Sequence, residues 1–511
     1  MHQPTDEQTA AAEAFHDGQH LAIQAGAGTG KTTTLTLLAS GTPRRGRYLA
    51  YNRATATDAS TRFPPTVTCT TAHSLAYRAL GHRYRHRLNA PRRPAWKTGQ
   101  DLGITTTVRI GPHDITPRTL SHTVTGTISR FCHSADPVIT RRHVPALRGL
   151  DDPDLHTELA HTVLPYANLA WKDLQDPDQG RTRFDHDHYL KIWALTRPRI
   201  DCDYLLLDEA QDTNPLVEQV FLHQKDHAQL VMVGDSAQAI YGWRGAQDVM
   251  TGFNGTHLTL SRSFRFGPAL AHEANRWLTA AGTPLRLTGT DTIPTTLDTP
   301  GTPNAVLCRT NVGAMTEILG LLGTGHRTAL VGGGAPLRAI ALAARDLKVG
   351  RRTTHPELVL FPTWGTVQDY AAHDPSGGDL QPFVDLIDRH GTDDILDAVD
   401  HLHDEAGAQV TVSTAHKAKG REWPNVKIAD DFHPPKDTDQ RDENGNPVPG
   451  PIDTAEARLA YVAITRARHH LNRGSLNWID HHPDTGARPS PVGADLPRPC
   501  SRVCPANGSV S

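Results

Sequence analysis

Residues 25–32, Ala25-Gly26-Ala27-Gly28-Thr29-Gly30-Lys31-Thr32, constrain this chain more than any other stretch. They follow the apolar run Leu21-Ala22-Ile23 and open into Thr33-Thr34-Leu35-Thr36-Leu37-Leu38. A strand, a glycine-rich loop and a helix start, in that order, are what a phosphate-binding loop requires. Gly26, Gly28 and Gly30 let the backbone curl so that its N–H groups face a polyphosphate. The helix beginning near Lys31 adds the positive end of its dipole. Lys31 can reach the β and γ phosphates, and the Thr32 hydroxyl can ligate Mg²⁺. Ala25 stands where the strict pattern has its first glycine. The whole stretch Ala25, Gly26, Ala27, Gly28, Thr29, Gly30, Lys31, Thr32 and Thr33 is therefore the expected binding site for a nucleoside triphosphate.

At 511 residues, a prior of roughly 150 residues per domain suggests about three or four domains. No apolar run approaches the roughly 20 residues a membrane-spanning helix needs. The N-terminus, Met1-His2-Gln3-Pro4-Thr5-Asp6-Glu7, lacks the basic-then-apolar pattern of a secretory signal. Six cysteines are scattered without the spacing of a disulfide framework. Cys500 and Cys504, with His481 and His482 upstream, read either as free thiols in a tail or as half of a zinc site. A reducing, cytoplasmic setting is expected, nucleoid-associated if the source is bacterial. The formal charge of −3 argues weakly against nucleic acid. A protein gripping single strands needs a local basic channel and stacking surfaces rather than global positive charge.

Short apolar runs ending in loop residues recur at residues 21–23, 48–51, 67–70, 204–207 and 230–233. Such runs suit parallel strands buried on both faces. A second series begins at His257-Leu258-Thr259-Leu260 and continues at 305–308, 328–331 and 410–413. The pattern predicts an α/β protein with a first sheet domain over 1–81 and 191–256 and a second over 257–345 and 409–476. A mostly helical, Pro/His/Arg-rich insertion (82–190) interrupts the first, and a smaller insertion (346–408) interrupts the second. Residues 477–511 lack periodicity and read as a disordered tail.

Leu205-Leu206-Leu207-Asp208-Glu209 supplies what the phosphate loop lacks. A buried strand delivers Asp208 to its carboxyl end, where it can hold the Mg²⁺ shell beside Thr32. Glu209 follows, placed to orient or deprotonate an attacking water. Alone, an acidic pair after a strand could be an ordinary helix start; paired with residues 25–32 it predicts ATP hydrolysis.

From this point the chain resembles a known family. Asp208-Glu209-Ala210-Gln211-Asp212 looks like the second Walker element of UvrD/Rep-type superfamily 1 helicases. The stretch from Val233 through Gln238, Tyr241 and Trp243 to Ala246 resembles that family's third motif. Val412-Ser413-Thr414-Ala415-His416-Lys417-Ala418-Lys419-Gly420-Arg421-Glu422-Trp423 resembles the fifth, and Ala460-Tyr461-Val462-Ala463-Ile464-Thr465-Arg466-Ala467 the sixth. Thr71-Ala72-His73-Ser74-Leu75-Ala76-Tyr77, His186-Asp187-His188-Tyr189-Leu190-Lys191 and Ser263-Phe264-Arg265-Phe266-Gly267 look closest to the F-box DNA helicase branch, although no F-box-like segment is evident. The motifs keep the family's order between residues 8 and 468.

The resemblance implies two RecA-like motor domains with ATP and Mg²⁺ in the cleft between them. It implies that Gln8 reads the adenine edge, although a helix-start residue after a capping Thr5 is its other reading. Gln238 would sense the γ-phosphate, Arg265 and Arg466 would act as arginine fingers, and Glu422 would touch the ribose. For DNA, Tyr241 and Trp243 suit base stacking in a glycine-bounded loop, with core packing as the alternative for Trp243. Tyr51, Asn52 and Arg53, with Thr71 and His73, lie at predicted strand ends where donors can hold phosphates. His416 and Lys419 resemble strand-contacting residues. The family usually has Phe-Thr-Asn-Lys where this chain has Ala50-Tyr51-Asn52-Arg53.

The expected activity is an ATP-dependent helicase or translocase on single-stranded DNA and single-strand/duplex junctions, moving 3′→5′ by resemblance, in repair, replication or recombination. Two other readings stay open. One is a translocase that strips proteins or dismantles recombination intermediates with little unwinding, and the other is an ATP-switched DNA-binding scaffold. No membrane role is expected, and nothing in the residues names a protein partner.

Overall fold

In the computed structural model each of these apolar runs forms a strand. The structure describes residues 3–483 apart from 91–94, 148–151, 241–249, 251, 299–300, 354, 356–357, 359–360, 374–379 and 442–444. The strands are β1 (Leu21–Ala25), β2 (Gly46–Leu49), β3 (Val67–Thr70), β4 (Val108–Ile110), β5 (His113–Ile115), β6 (Tyr204–Leu207), β7 (Gln229–Gly234) and β8 (Thr256–Leu260). They continue with β9 (Ala305–Cys308), β10 (Thr328–Leu330), β11 (Val410–Thr414), β12 (Trp423–Ile428), β13 (Asp437–Arg441), β14 (Pro447–Pro449) and β15 (Ala467–Asn472). Six build one parallel sheet in the order β3-β2-β6-β7-β1-β8, and five build a second in the order β10-β11-β9-β12-β15. This is the expected α/β architecture of two RecA-like units.

The runs are apolar throughout because both faces of each sheet are covered. Along β7, Leu230 and Met232 join a core shared with the first insertion, while Val231 and Val233 join the opposite core with Phe15 and Leu35. The two-residue period of a strand thus feeds two separate cores. The second sheet repeats the device. Ala305 and Leu307 of β9 face a core containing Trp277 and Tyr461, and Val306 and Cys308 face one containing Trp364 and Leu386 from the second insertion.

Two sequence expectations are corrected. The sequence pattern groups His257-Leu258-Thr259-Leu260 with the second series, yet β8 pairs in parallel with β1 from Leu21↔Thr256 to Ala25↔Leu260. The chain completes the edge of the first sheet before it leaves, and apolar spacing alone carries no information about which sheet a strand joins. Residues 477–483 are also not tail. A 3₁₀ segment spans Gly474–His481 with Leu476 and Ile479 buried. Trp478 packs edge-on against Trp277 at 5.4 Å, and His482 Nε2 lies 2.9 Å from the Gly450 carbonyl oxygen. Cys500 and Cys504 lie outside the described residues. Among those residues no helix is long and apolar enough to cross a membrane.

Leu206 is fully buried in the middle of the first sheet. Leu206→Ala should therefore destabilise the first unit by about 2–5 kcal/mol, read as a lowered urea midpoint with an unchanged slope.

Candidate active site

In a parallel sheet, ligands gather where strands deliver their carboxyl ends. The loop after β1 emerges between β7 and β8. Gly28 and Gly30 adopt φ of +77° and +80°, a region in which other residues are strained. Gly30 is the N-cap of the helix Lys31–Ser40, so the helix dipole opens onto the loop. Thr29 is buried, and its hydroxyl donates to the Gly26 carbonyl at 2.9 Å. Ala25 ends β1 in the core, whereas Thr33 faces solvent.

The acidic side sits beside the loop. Thr32 Oγ1 donates to Asp208 Oδ2 at 2.9 Å, and Tyr48 O–H donates to the same oxygen at 2.6 Å. Lys31 Nζ lies 3.8 Å from Glu209 Oε1. Burial pushes the Asp208 carboxyl above its usual range, and the adjacent Glu209 charge adds to this. Burial also opposes the charge on Glu209, but Lys31 and Lys419 outweigh it and hold that carboxyl below its usual range. Glu209 is a non-glycine residue in the left-handed region, φ 52° and ψ 45°. Such a conformation costs about 1–3 kcal/mol and concentrates at functional sites. Gln211 Nε2 donates to Glu209 Oε2 at 2.6 Å, fixing the carboxylate's direction.

The second unit closes the cleft. Arg466 is fully buried, with Nη2 3.4 Å from Gln238 Oε1 and Nε donating to the Val462 carbonyl at 2.8 Å. Burial and the neighbouring Arg265 lower its guanidinium to about 9. Arg265 packs so closely on the phosphate loop that a Cβ on Gly28 would lie 2.6 Å from its own. Its Nε donates to Glu422 Oε2 at 2.7 Å and its Nη1 to the Thr465 carbonyl at 3.0 Å. Glu422 is exposed at the rim, within 3.8 Å of Arg468.

Gln8 has the helix-start role. It forms a capping box with Thr5, and its Nε2 donates to Thr34 Oγ1 at 3.1 Å. It also borders the phosphate loop at Gly30.

The strand-contacting residues are brought together less completely. Asn52 and Thr71 are N-caps, accepting from the Thr55 and Ser74 N–H groups. Tyr51 and Arg53 are exposed beside Asn52. His73 Nε2 lies 3.0 Å from Asp187 Oδ1, and His133 lies the same distance from Asp187 Oδ2, so the first insertion holds this corner. His416 is half-buried, and burial, with Arg309 nearby, lowers its pKa. Lys419 is placed elsewhere than expected. Its ammonium lies in the cleft 2.6 Å from Asp212 Oδ2 and donates to the Gln238 carbonyl, because that buried carboxylate demands a cation. Tyr241 and Trp243 lie outside the described residues.

Sequence reading missed Tyr48, Gln211, Asp212, Asp235 and Tyr461 as members of this site. Four of them lie inside the motifs, Gln211 and Asp212 after Glu209, Asp235 before Gln238 and Tyr461 before Arg466. Their polarity beside apolar neighbours was the available signal.

With this geometry in place, comparison with known proteins gives a consistent result. The AAA domain family matches residues 8–244 and the UvrD-like helicase C-terminal domain family residues 392–473. F-box DNA helicase protein 1 of Schizosaccharomyces pombe is 28% identical over 510 residues, covering 89% of this chain and 56% of that protein. F-box DNA helicase 1 of Gallus gallus is 26% identical, covering 89% and 47%. ATP-dependent DNA helicase UvrD2 of Mycobacterium tuberculosis is 26% identical, covering 89% and 76%. The chain spans about half the length of the two F-box relatives. The matches make the chain similar to the UvrD/Rep-like superfamily 1 helicases and to the F-box DNA helicases among them.

The Asp212–Lys419 pair generates a pH prediction. Burial raises the Asp212 carboxyl to about 6, against the pull of Lys419. Between the unfolded carboxylate's pKa of about 4 and this value the folded state binds the extra proton, so stability falls as pH rises and levels off above pH about 6. Lys419→Met removes the opposing cation and moves the folded value higher still. Its melting temperature should therefore keep falling above pH 6, where that of the wild type has levelled in this respect.

Proposed function

We propose that this chain is an ATP-driven motor on single-stranded DNA, a DNA helicase or translocase that hydrolyses ATP in the cleft between its two RecA-like units. The observation that carries the reading is the approach of two arginines of the second unit to the first, the Arg265 backbone and Cβ packing on Gly28 of the phosphate loop and the Arg466 guanidinium lying beside Gln238. Planar fork donors at that position suit charge developing on a transferred phosphoryl group. The named activities of the F-box and UvrD2 relatives agree with it.

Within this reading the phosphate loop and Lys31 hold the polyphosphate. The converging hydroxyl of Thr32 and carboxylate of Asp208 are hard oxygen donors that fit Mg²⁺, which when bound neutralises phosphate charge. Glu209, kept ionised by Lys31 and Lys419, takes the proton of the attacking water. Gln238 contacts the γ-phosphate, while Gln8 and Glu422 border the base and ribose. Closure brings the arginines in, and release after hydrolysis lets the units part. Tyr51, Asn52, Arg53, Thr71, His73, Tyr241, Trp243 and His416 form the strand path, which runs over single-stranded DNA and its junctions with duplex. Travel is 3′→5′, the setting is cytoplasmic, nucleoid-associated if the source is bacterial, and the work is repair, replication or recombination.

Turnover with and without single-stranded DNA tests the motor, and duplexes with 3′ or 5′ tails test unwinding and polarity. DNA-stimulated hydrolysis without unwinding of either substrate would favour a protein-stripping translocase. Hydrolysis insensitive to DNA would sink the motor reading. Lys31→Ala should abolish hydrolysis. Glu209→Gln should keep nucleotide binding and block turnover, and normal turnover in that variant would remove Glu209 from its role. Trp243→Ala should weaken single-strand affinity roughly ten- to hundredfold, the equivalent of about 1–3 kcal/mol of lost stacking, measured by fluorescence anisotropy, with basal hydrolysis unchanged.

A further inference from the structure

Tyr461 lies on the helix Thr454–Ile464, with its ring enclosed in the second unit's core beside Trp277 and Leu307. Its hydroxyl reaches into the first unit and meets two groups there. The Ala27 N–H of the phosphate loop donates to it at 3.0 Å, and it donates to Asp235 Oδ2 at 2.9 Å. Asp235 follows the end of β7 and is fully buried. The same Oδ2 accepts from Gln238 Nε2 at 2.7 Å, while Oδ1 accepts from the Ala237 N–H at 3.1 Å. The Asp235 N–H in turn donates to Gln211 Oε1 at 2.9 Å. Gln211 Nε2 donates onward to Glu209 Oε2 at 2.6 Å. One phenolic oxygen therefore joins the phosphate loop to the residue proposed to take the water's proton and to the one proposed to contact the γ-phosphate.

We propose that Tyr461 is a positioning residue that couples closure of the second unit to the alignment of Gln238 and Glu209 with the phosphate loop. The proposal rests on the reading of the chain as an ATP-driven motor. Three physical facts favour it. The Ala27 N–H belongs to a loop whose shape the flanking glycines fix, so it has little freedom to seek another partner. Asp235 is a carboxylate without solvent and needs each donor it has. Both groups belong to the first unit whereas the hydroxyl belongs to the second, so parting of the units breaks both bonds together. An interaction with that property reports closure to both sides of the nucleotide site at once.

Tyr461→Phe keeps the ring and its packing and removes only the hydroxyl, and near-ultraviolet circular dichroism would confirm the native fold. Steady-state hydrolysis is then measured against ATP concentration, with and without single-stranded DNA, for wild type and variant. The expected result is a DNA-stimulated kcat lowered about tenfold with the KM for ATP within about threefold of wild type, and a reduced stimulation factor. A hydroxyl that only stabilises the fold would lower the melting temperature and leave kcat and stimulation at wild-type values, which would overturn the proposal. Equal losses in kcat and ATP affinity would also overturn it. The two readings separate cleanly in the control. A wild-type protein without DNA-stimulated hydrolysis removes the motor reading and this proposal with it, whereas stimulated wild type with an equally stimulated variant removes only the proposal.

Discussion

A carboxylate at the end of a buried strand must find its hydrogen bonds inside the protein, and Asp208 finds them in Thr32 and Tyr48. That shared oxygen pins three elements to one point: the helix after the phosphate loop, the end of β6, and β2 through Tyr48. Because β6 lies between β2 and β7, the same point fixes where Glu209 leaves the sheet. Its left-handed backbone turns the carboxylate back toward Lys31 instead of along the strand. The strain is tolerated because the bonds around it are many and buried. Without the Asp208 anchor, the loop and the acidic turn would be two neighbouring features rather than one site.

How much of this was legible in the sequence follows from how local each determinant is. The phosphate loop is written in consecutive residues, and Gly28 and Gly30 fall where the backbone needs positive φ. The acidic pair is announced by Leu205-Leu206-Leu207, a run that can only be a doubly covered strand. The arginines were legible only by resemblance, since Arg265 and Arg466 stand about 200 residues apart in the chain and still converge, with the Arg265 guanidinium bonded to the Thr465 carbonyl. Partners such as Ala27 and Tyr461, separated by 434 residues, leave no local mark at all. Lys419 shows the opposite failure. Its family likeness pointed to DNA, while the buried Asp212 that claims it was read only as the tail of a motif.

The helix caps teach a related lesson. Asn52 and Thr71 have side chains spent on helix N–H groups, an arrangement that polar residues at strand ends adopt for purely local reasons. Such residues position the helices they begin, and their neighbours Tyr51 and Arg53 remain the groups that face outward. The same polarity that suggested a binding surface also builds the corner on which a surface can stand.

The first insertion lends its apolar side to the sheet. Leu205, Leu207, Leu230 and Met232 share one core with Phe131 and Leu159 of the insertion and with Trp193, Val220 and Phe221 outside it, so the insertion supplies part of the cover of that face of the sheet. The consequence is a limit on modularity. A shortened protein cut back to the sheet alone would expose a greasy plane along its central strands and would be prone to aggregate. In this architecture the insertion and the sheet share one buried core. Any accessory contact made on the insertion's outer surface is therefore mechanically continuous with the strands that carry the nucleotide chemistry.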